Sequence, residues 1–111
     1  MKTDKELLEL AAKAAGISFV GYDVLYEDFS AYCKETDVNY LWNPLDRDGD
    51  ALRLAVKLGF DIMPHADIKK GRRKVVIFSG PSLELLHYTD GSCAGLRKAI
   101  VKLAADIGEN L

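Results

Sequence analysis

A chain of 111 residues with a net charge of -2, 49% hydrophobic and 29% charged residues has the composition of one soluble globular domain. This balance excludes a mainly disordered chain, because enough apolar surface can be buried to form a core. No run approaches the roughly 18 apolar residues that cross a bilayer, and residues 1–6 lack the apolar run of a signal peptide. We therefore expect a cytoplasmic protein in which residues 1–111 form a single domain and Cys33 and Cys93 are reduced.

The chain opens with a predicted helix. Thr3 and Glu6 have capping-box spacing, so the hydroxyl and the carboxylate can each accept a hydrogen bond from a free backbone amide. Apolar residues in 7–15 recur at helical spacing, and Gly16 suits the left-handed position that ends a helix. Residues 17–22 follow as a predicted strand.

The next segment is less regular. Within residues 23–36 apolar and polar positions alternate, which favours an extended strand, although an irregular loop fits nearly as well. Residues 38–42 predict another strand. Asn43 must be extended or in a turn, because it precedes Pro44.

A second helix follows this turn. Asp46 or Asp48 can cap it, and Asp50 suits the dipole of its first turn. Gly59 is expected to close it. Its buried face is predicted to contain Ala51, Leu52, Leu54, Ala55, Val56 and Leu58.

The second half predicts more strands and a last helix. Residues 60–63 and 74–79 favour strands, the second apolar enough to lie centrally in a sheet. After a turn at residues 80–81, residues 82–88 predict a strand that pairs with its predecessor. A turn at residues 90–91 leads to the last helix. Ser92 can cap this helix, Gly108 is expected to end it, and its inner face contains Leu96, Ile100, Leu103, Ala104 and Ile107.

This order predicts a fold class. Short connections between neighbouring strands favour hairpins, and therefore antiparallel pairing. We predict a single α+β domain with a largely antiparallel sheet of about four or five strands packed by three helices, in an α-β-α sandwich.

Motifs that carry chemistry are weak in this sequence. Residues 46–50 begin like a calcium loop, but the sixth and twelfth positions hold Ala51 and Lys57 instead of the required glycine and glutamate. His65 and His87 lack the spacing of zinc ligands, and no nucleotide-binding or hydrolase motif occurs. We predict no catalytic, cofactor-binding or metal-binding residues. The remaining enzyme hypothesis is a thiol enzyme that uses Cys93 with His87.

A basic segment stands out from the otherwise acidic chain. Five positive charges fall within positions 69–74, on Lys69, Lys70, Arg72, Arg73 and Lys74. Such a cluster can contact phosphates or an acidic protein surface. The alternative is a solvated hairpin turn whose charges keep neighbouring strands from pairing with other chains.

Aromatic residues concentrate in the first half of the chain. If residues 23–36 form a loop, several of these rings are exposed and mark an interaction surface. The alternative is that they pack beneath the loop and across the sheet. The candidate surface residues in this region are Tyr26, Phe29, Tyr32 and Trp42.

Part of the sequence resembles a known group. The string WNPL at positions 42–45, followed by DGDALRLAVKLG at 48–59, is similar to small uncharacterised proteins of tailed bacteriophages and prophages, some described as a phage alpha-beta-alpha sandwich domain. Residues 5–16 and 96–108 resemble their first and last helices. The resemblance implies a phage or prophage origin and a sandwich of helices around a sheet. It brings no known activity and no functional residues.

The leading hypothesis is therefore a phage-encoded accessory protein that binds a host or phage protein in the bacterial cytoplasm. Inhibition of a host defence or regulatory system is one version of it. Nucleic-acid binding through residues 69–74 is the second hypothesis. We expect no membrane partner and no cofactor, and a homodimer stays open.

Overall fold

The computed structural model of the protein describes residues 2–67, 72–79, 87–89 and 92–111. In these ranges the chain forms three helices and six strands. The helices are α1 (Asp4–Ala15), α2 (Asp48–Leu58) and α3 (Cys93–Glu109). The strands are β1 (Ser18–Asp23), β2 (Asp28–Cys33), β3 (Val38–Leu41), β4 (Phe60–Asp67), β5 (Arg72–Ser79) and β6 (His87–Thr89).

The described strands form two antiparallel sheets of three strands each. The first sheet has the order β1-β2-β3 and the second the order β4-β5-β6. The predicted α+β class, the antiparallel pairing and the three helices are confirmed. The strands differ in detail from the prediction, because they are divided between two sheets and number six rather than four or five. The turns predicted at residues 80–81 and 90–91, and residues 82–86 of the predicted strand, lie outside the described residues.

The ambiguous segment 23–36 contains a strand with a turn on each side. Its alternating residues form β2, which pairs with both β1 and β3. Glu27 and Asp37 reverse the chain at the two turns with φ angles of 53° and 56°. These left-handed positions allow tight connections on both sides of β2. The alternating segment, which fitted a loop nearly as well, therefore forms the central strand of the sheet.

The first helix begins and ends as predicted. Thr3 Oγ1 accepts a hydrogen bond from the Glu6 amide at 3.2 Å, and the Glu6 carboxylate accepts from the Thr3 amide. Gly16 follows the helix with φ 69°, which confirms its predicted left-handed conformation.

The second helix departs from the prediction in two ways. The cap position is Arg47, whose side chain makes no capping bond, so neither Asp46 nor Asp48 caps the helix. Leu52 and Val56, predicted to be buried, are 59% and 71% exposed. Only one stripe of a surface helix can face the core. In α2 this stripe contains Ala51, Leu54, Ala55 and the half-buried Leu58.

The last helix corrects the role given to Gly108. The helix continues to Glu109, so Gly108 lies inside it rather than ending it. A Cβ atom at this position would lie 1.9 Å from the carbonyl oxygen of Leu10 in α1. Gly108 therefore permits the backbones of α1 and α3 to touch, a requirement that no other residue type meets.

Small residues line the remainder of this helix contact. The buried faces carry alanines at positions 11, 12 and 15 in α1 and at 99, 104 and 105 in α3. The first sheet packs on α1 through β1, and the second contacts α3 through β5 and β6. One core joins them, because Ala31 and Trp42 on one side and Phe60 and Ile77 on the other belong to the same buried cluster.

Replacing Gly108 with alanine should lower the free energy of unfolding by about 2 to 3 kcal/mol, because the helices must separate to admit the methyl group. Chemical denaturation followed by circular dichroism measures this change. Gly49→Ala is the matched control, since its Cβ atom meets only the flexible end of the Arg53 side chain at 3.3 Å. This control should stay within about 1 kcal/mol of the parent. Equal stability of the two variants would contradict the close helix contact.

Candidate protein-interaction surface

The turn between β1 and β2 presents consecutive apolar side chains to solvent. We call residues 23–27 the tip. Within it Val24, Leu25 and Tyr26 are 80%, 82% and 64% exposed. Single exposed apolar residues are normal on protein surfaces, but a contiguous group on a projecting turn is typical of an interaction site.

Local hydrogen bonds hold the tip in this shape. Asp23 Oδ1 accepts from the Leu25 amide at 2.9 Å and from the Tyr26 amide at 3.4 Å. The side chain thereby replaces backbone partners within the turn. Glu27 then reverses the chain with its left-handed φ angle. The Leu25 and Tyr26 amides are thus bonded within the turn, while the apolar side chains of the turn are exposed.

Aromatic rings connect the tip region to the core. Tyr22 meets Phe29 edge-on, with ring centroids 5.4 Å apart, and Phe29 lies 6.1 Å from Phe19. Phe19 in turn meets Trp42 edge-on at 6.3 Å. The series runs from the exposed Tyr22 to the buried Trp42. Such edge-on pairs add stabilisation beyond the area that they bury, so this end of the first sheet is fixed to the core.

The structure separates the four aromatic residues that the sequence grouped as one surface. Tyr26 is exposed at the tip, whereas Phe29 is half-buried against the core. Trp42 is only 4% exposed, which corrects its assignment to a surface. Tyr32 lies near the opposite end of β2 from the tip. Its hydroxyl donates to the carboxylate of Asp37, a hydrogen bond that raises the pKa of Tyr32 above its ordinary value.

Sequence reasoning missed Val24 and Leu25, the two most exposed apolar residues of the tip. The predicted surface in this segment contained only aromatic side chains and no aliphatic side chains. A usable signal was present, since Val24-Leu25-Tyr26 is an apolar run enclosed by Asp23 and Glu27 in a segment that suits turns.

The base of the β1–β2 hairpin is tied to the chain that follows β3. Asp28 Oδ1 accepts from the Asn43 side-chain amide at 2.9 Å, and Asp28 Oδ2 accepts from Arg47 Nη2 at 2.7 Å. The Asp28 side chain is largely buried, so dissolved salt screens this ion pair less than it screens an ion pair on the surface. The hairpin therefore has a fixed orientation relative to α2.

Asn43 is the centre of a wider polar corner. Its backbone amide donates to Asp50 Oδ2 at 3.0 Å, and its side-chain oxygen accepts from the Leu45 amide at 3.1 Å. The buried Asp50 also accepts from Arg53 Nη2 at 2.7 Å. These bonds satisfy a buried carboxylate that would otherwise be costly.

The third helix is joined to the same corner. Arg97 donates through Nη1 to Asp48 at 2.6 Å and through Nε to the Leu45 carbonyl oxygen at 3.0 Å. The string at 42–59 thus connects β3, α2 and α3. Its contacts give it a structural role, with Asp48 and Asp50 engaged by arginines and a backbone amide.

The basic segment lies at the β4–β5 hairpin. Lys69 and Lys70 are outside the described residues. Arg72, Arg73 and Lys74 form the start of β5, where Arg72 stands opposite Asp67 in the register.

The residues of the thiol hypothesis belong to two different elements. Cys93 is the first residue of α3 and is exposed, and His87 is the first residue of β6. Within the described part of the chain no three acidic, histidine or cysteine side chains group as metal ligands. The described helices include none that is long and apolar enough to cross a membrane.

Replacing Asn43 with alanine should lower the free energy of unfolding by about 1 to 3 kcal/mol, because Asp28 and the Leu45 amide lose a partner in a half-buried corner. Thermal and urea denaturation measure the change. Asn39→Ala is the matched control, since Asn39 is exposed on β3 and should cost less than about 0.5 kcal/mol. A difference of zero between the two variants would remove the corner as a source of stability.

Comparisons with known proteins identify no relative from which a function for this surface could be inferred. No protein-family model matches the chain, and no curated protein or solved structure shows significant similarity to it. The resemblance of the string at 42–59 to phage proteins therefore stays a prediction.

Proposed function

We propose that this protein acts by binding another protein through the tip. The observation that carries this proposal is the exposure of Val24, Leu25 and Tyr26 together on a turn whose backbone is fixed by Asp23. Transfer of each such side chain out of water contributes about 1.5 to 3 kcal/mol when burial is complete. Three adjacent side chains form the kind of compact anchor that dominates many interfaces.

The rigid attachment of the hairpin favours binding. Association costs free energy when loops and side chains must be ordered, and a preorganised turn avoids much of that cost. The Asp23 bonds fix the tip itself, while the Asp28 bonds to Asn43 and Arg47 fix its base. The tip thus presents its apolar group in one orientation.

The charges around the tip indicate the kind of partner surface. Glu27 is exposed beside the apolar group, whereas the Asp23 and Asp28 carboxylates already accept hydrogen bonds within the chain. A complementary surface has an apolar cleft with a basic group at its rim.

The resemblance of the string at 42–59 supports a phage or prophage origin for the protein. On this proposal it is an accessory protein that meets a host or phage protein in the bacterial cytoplasm. Inhibition of a host defence or regulatory system is the version that we favour, since occupation of a partner's apolar cleft by a small rigid domain blocks that cleft.

Replacing Leu25 with glutamate should abolish capture of the partner, because a charge at the centre of the tip opposes burial. The measurement is an affinity pull-down of the tagged protein from bacterial lysate, with and without nuclease, quantified by mass spectrometry. Val56→Glu is the matched control, because it adds the same charge at a similarly exposed apolar residue on α2. This control should retain the partner.

Two results would contradict the proposal. One is a partner that is retained by Leu25→Glu as well as by the control. The other is recovery of nucleic acid and nuclease-sensitive companions alone, which would transfer the function to the basic segment and its phosphate contacts.

A further inference from the structure

Within the described residues, no backbone hydrogen bond reaches the outer edge of β3. The strand lies at one side of the first sheet, and none of the described strands pairs with its other side. The Trp42 amide donates to the Phe29 carbonyl oxygen at 2.9 Å. This bond, with the register of the two strands, shows which residues of β3 direct their backbone groups toward β2. Bonding alternates along an antiparallel ladder, so Asn39 and Leu41 direct their backbone N–H and C=O groups away from β2.

The opposite edge of the sheet is protected, and β3 is not. In β1 the register shifts between Phe19 and Gly21, which leaves Val20 in a bulge, and Gly21 has a φ angle of 134°. Bulges of this kind twist an edge and prevent another strand from pairing with it. The register of β3 against β2 is unbroken over Val38–Leu41, and this strand contains no proline.

A groove runs between β3 and α2. One part, of about 450 Å³, is lined on the strand side by Tyr40 and Leu41 and on the helix side by Arg53 and Lys57. A second part, of about 540 Å³, shares Ile17, Tyr40 and Lys57 with the first, continues toward the β2–β3 turn and reaches the start of β1 at Ser18. Val38 and Tyr40 are 57% and 39% exposed along it. The groove thus combines an open strand edge with partly exposed apolar surface.

The groove has one more positive than negative side chain. Its lining contains the cations Lys34, Arg53 and Lys57 and the anions Glu35 and Asp50. Asp50 is buried and bonded to Arg53. Lys57 is exposed on the helix wall and makes no ion pair within 4.0 Å in the described part of the chain, although its charge acts on the Glu35 carboxylate of the same groove. A carboxylate on the bound segment would complement this ammonium group.

We propose that the β3–α2 groove binds an extended acidic segment of the partner protein, which joins the first sheet as a fourth strand. Backbone bonds to Asn39 and Leu41 supply affinity, and a carboxylate facing Lys57 supplies selectivity. An added strand would lie about 4.8 Å from β3, beside the groove that Tyr40 and Lys57 line. This inference rests on the proposed protein-binding function and adds a second contact site to the tip.

The test begins with selection of binders from a displayed library of random 12-residue peptides on the immobilised full-length protein. Selected peptides should contain Asp or Glu at alternate positions. Synthetic copies carrying a fluorophore then give dissociation constants by fluorescence polarisation. Hydrogen exchange measured by NMR should show that a bound peptide slows exchange at the Asn39 and Leu41 amides of the unaltered protein.

Variants separate the two parts of the groove. Asn39→Pro removes one outward amide and spares the bonds to β2, so it should weaken peptide binding about fivefold or more. Asn39→Ala keeps that amide and should bind like the parent. Lys57→Glu should weaken binding about tenfold, whereas Lys5→Glu, a charge reversal on the exposed face of α1, should not.

Several outcomes would overturn the groove site. One is a selection that enriches no peptides, or only peptides without acidic residues. Another is peptide binding that neither Asn39→Pro nor Lys57→Glu weakens and that leaves hydrogen exchange at the Asn39 and Leu41 amides unchanged. A dimer in analytical ultracentrifugation that Asn39→Pro converts to a monomer would assign the edge to a second copy. In the pull-down, loss of the partner by Leu25→Glu but by neither Asn39→Pro nor Lys57→Glu would retain the tip and reject the groove.

Discussion

The hydrogen bonds around Asn43 set the relation between the first sheet and the helices. Through its side chain and backbone this residue joins Asp28 at the base of a hairpin to Asp50 in α2. Arg97 brings α3 to the same corner through the Leu45 carbonyl oxygen. Each bond contributes modestly, but the loss of any partner leaves a buried or half-buried polar group unsatisfied. The corner therefore fixes the direction in which the β1–β2 hairpin leaves the core.

The contact of α1 with α3 provides the second constraint. The backbones touch where Gly108 lies against Leu10, and buried alanines continue the close approach along both helices. Close packing of this kind increases dispersion contacts and leaves little volume for larger side chains. The sheets pack against the resulting helix layer through different helices. In the described part of the chain, the tip is exposed to solvent and no strand pairs with the outer edge of β3.

Local sequence signals predicted the elements whose determinants are also local. The capping box at Thr3, the left-handed Gly16 and the Ser92 cap, whose oxygen accepts from the Gly95 amide, require only neighbouring residues. The α+β class and the antiparallel pairing follow in the same way from short connections between apolar segments. The exposure of Tyr26 was one of two alternatives that the sequence left open.

The remaining features depended on contacts between residues far apart in the chain. The sequence by itself determined that three helices alternate with strands and where α1 begins and ends, since periodicity and capping act within a few residues. Only the tertiary structure decided that Gly108 is a helix contact and that Trp42 is buried. It also decided that Leu52 and Val56 face solvent, because the stripe of α2 that becomes buried depends on where α3 lies. Long-range packing has no local signature, so the division of six strands into two sheets was likewise a property of the assembled core.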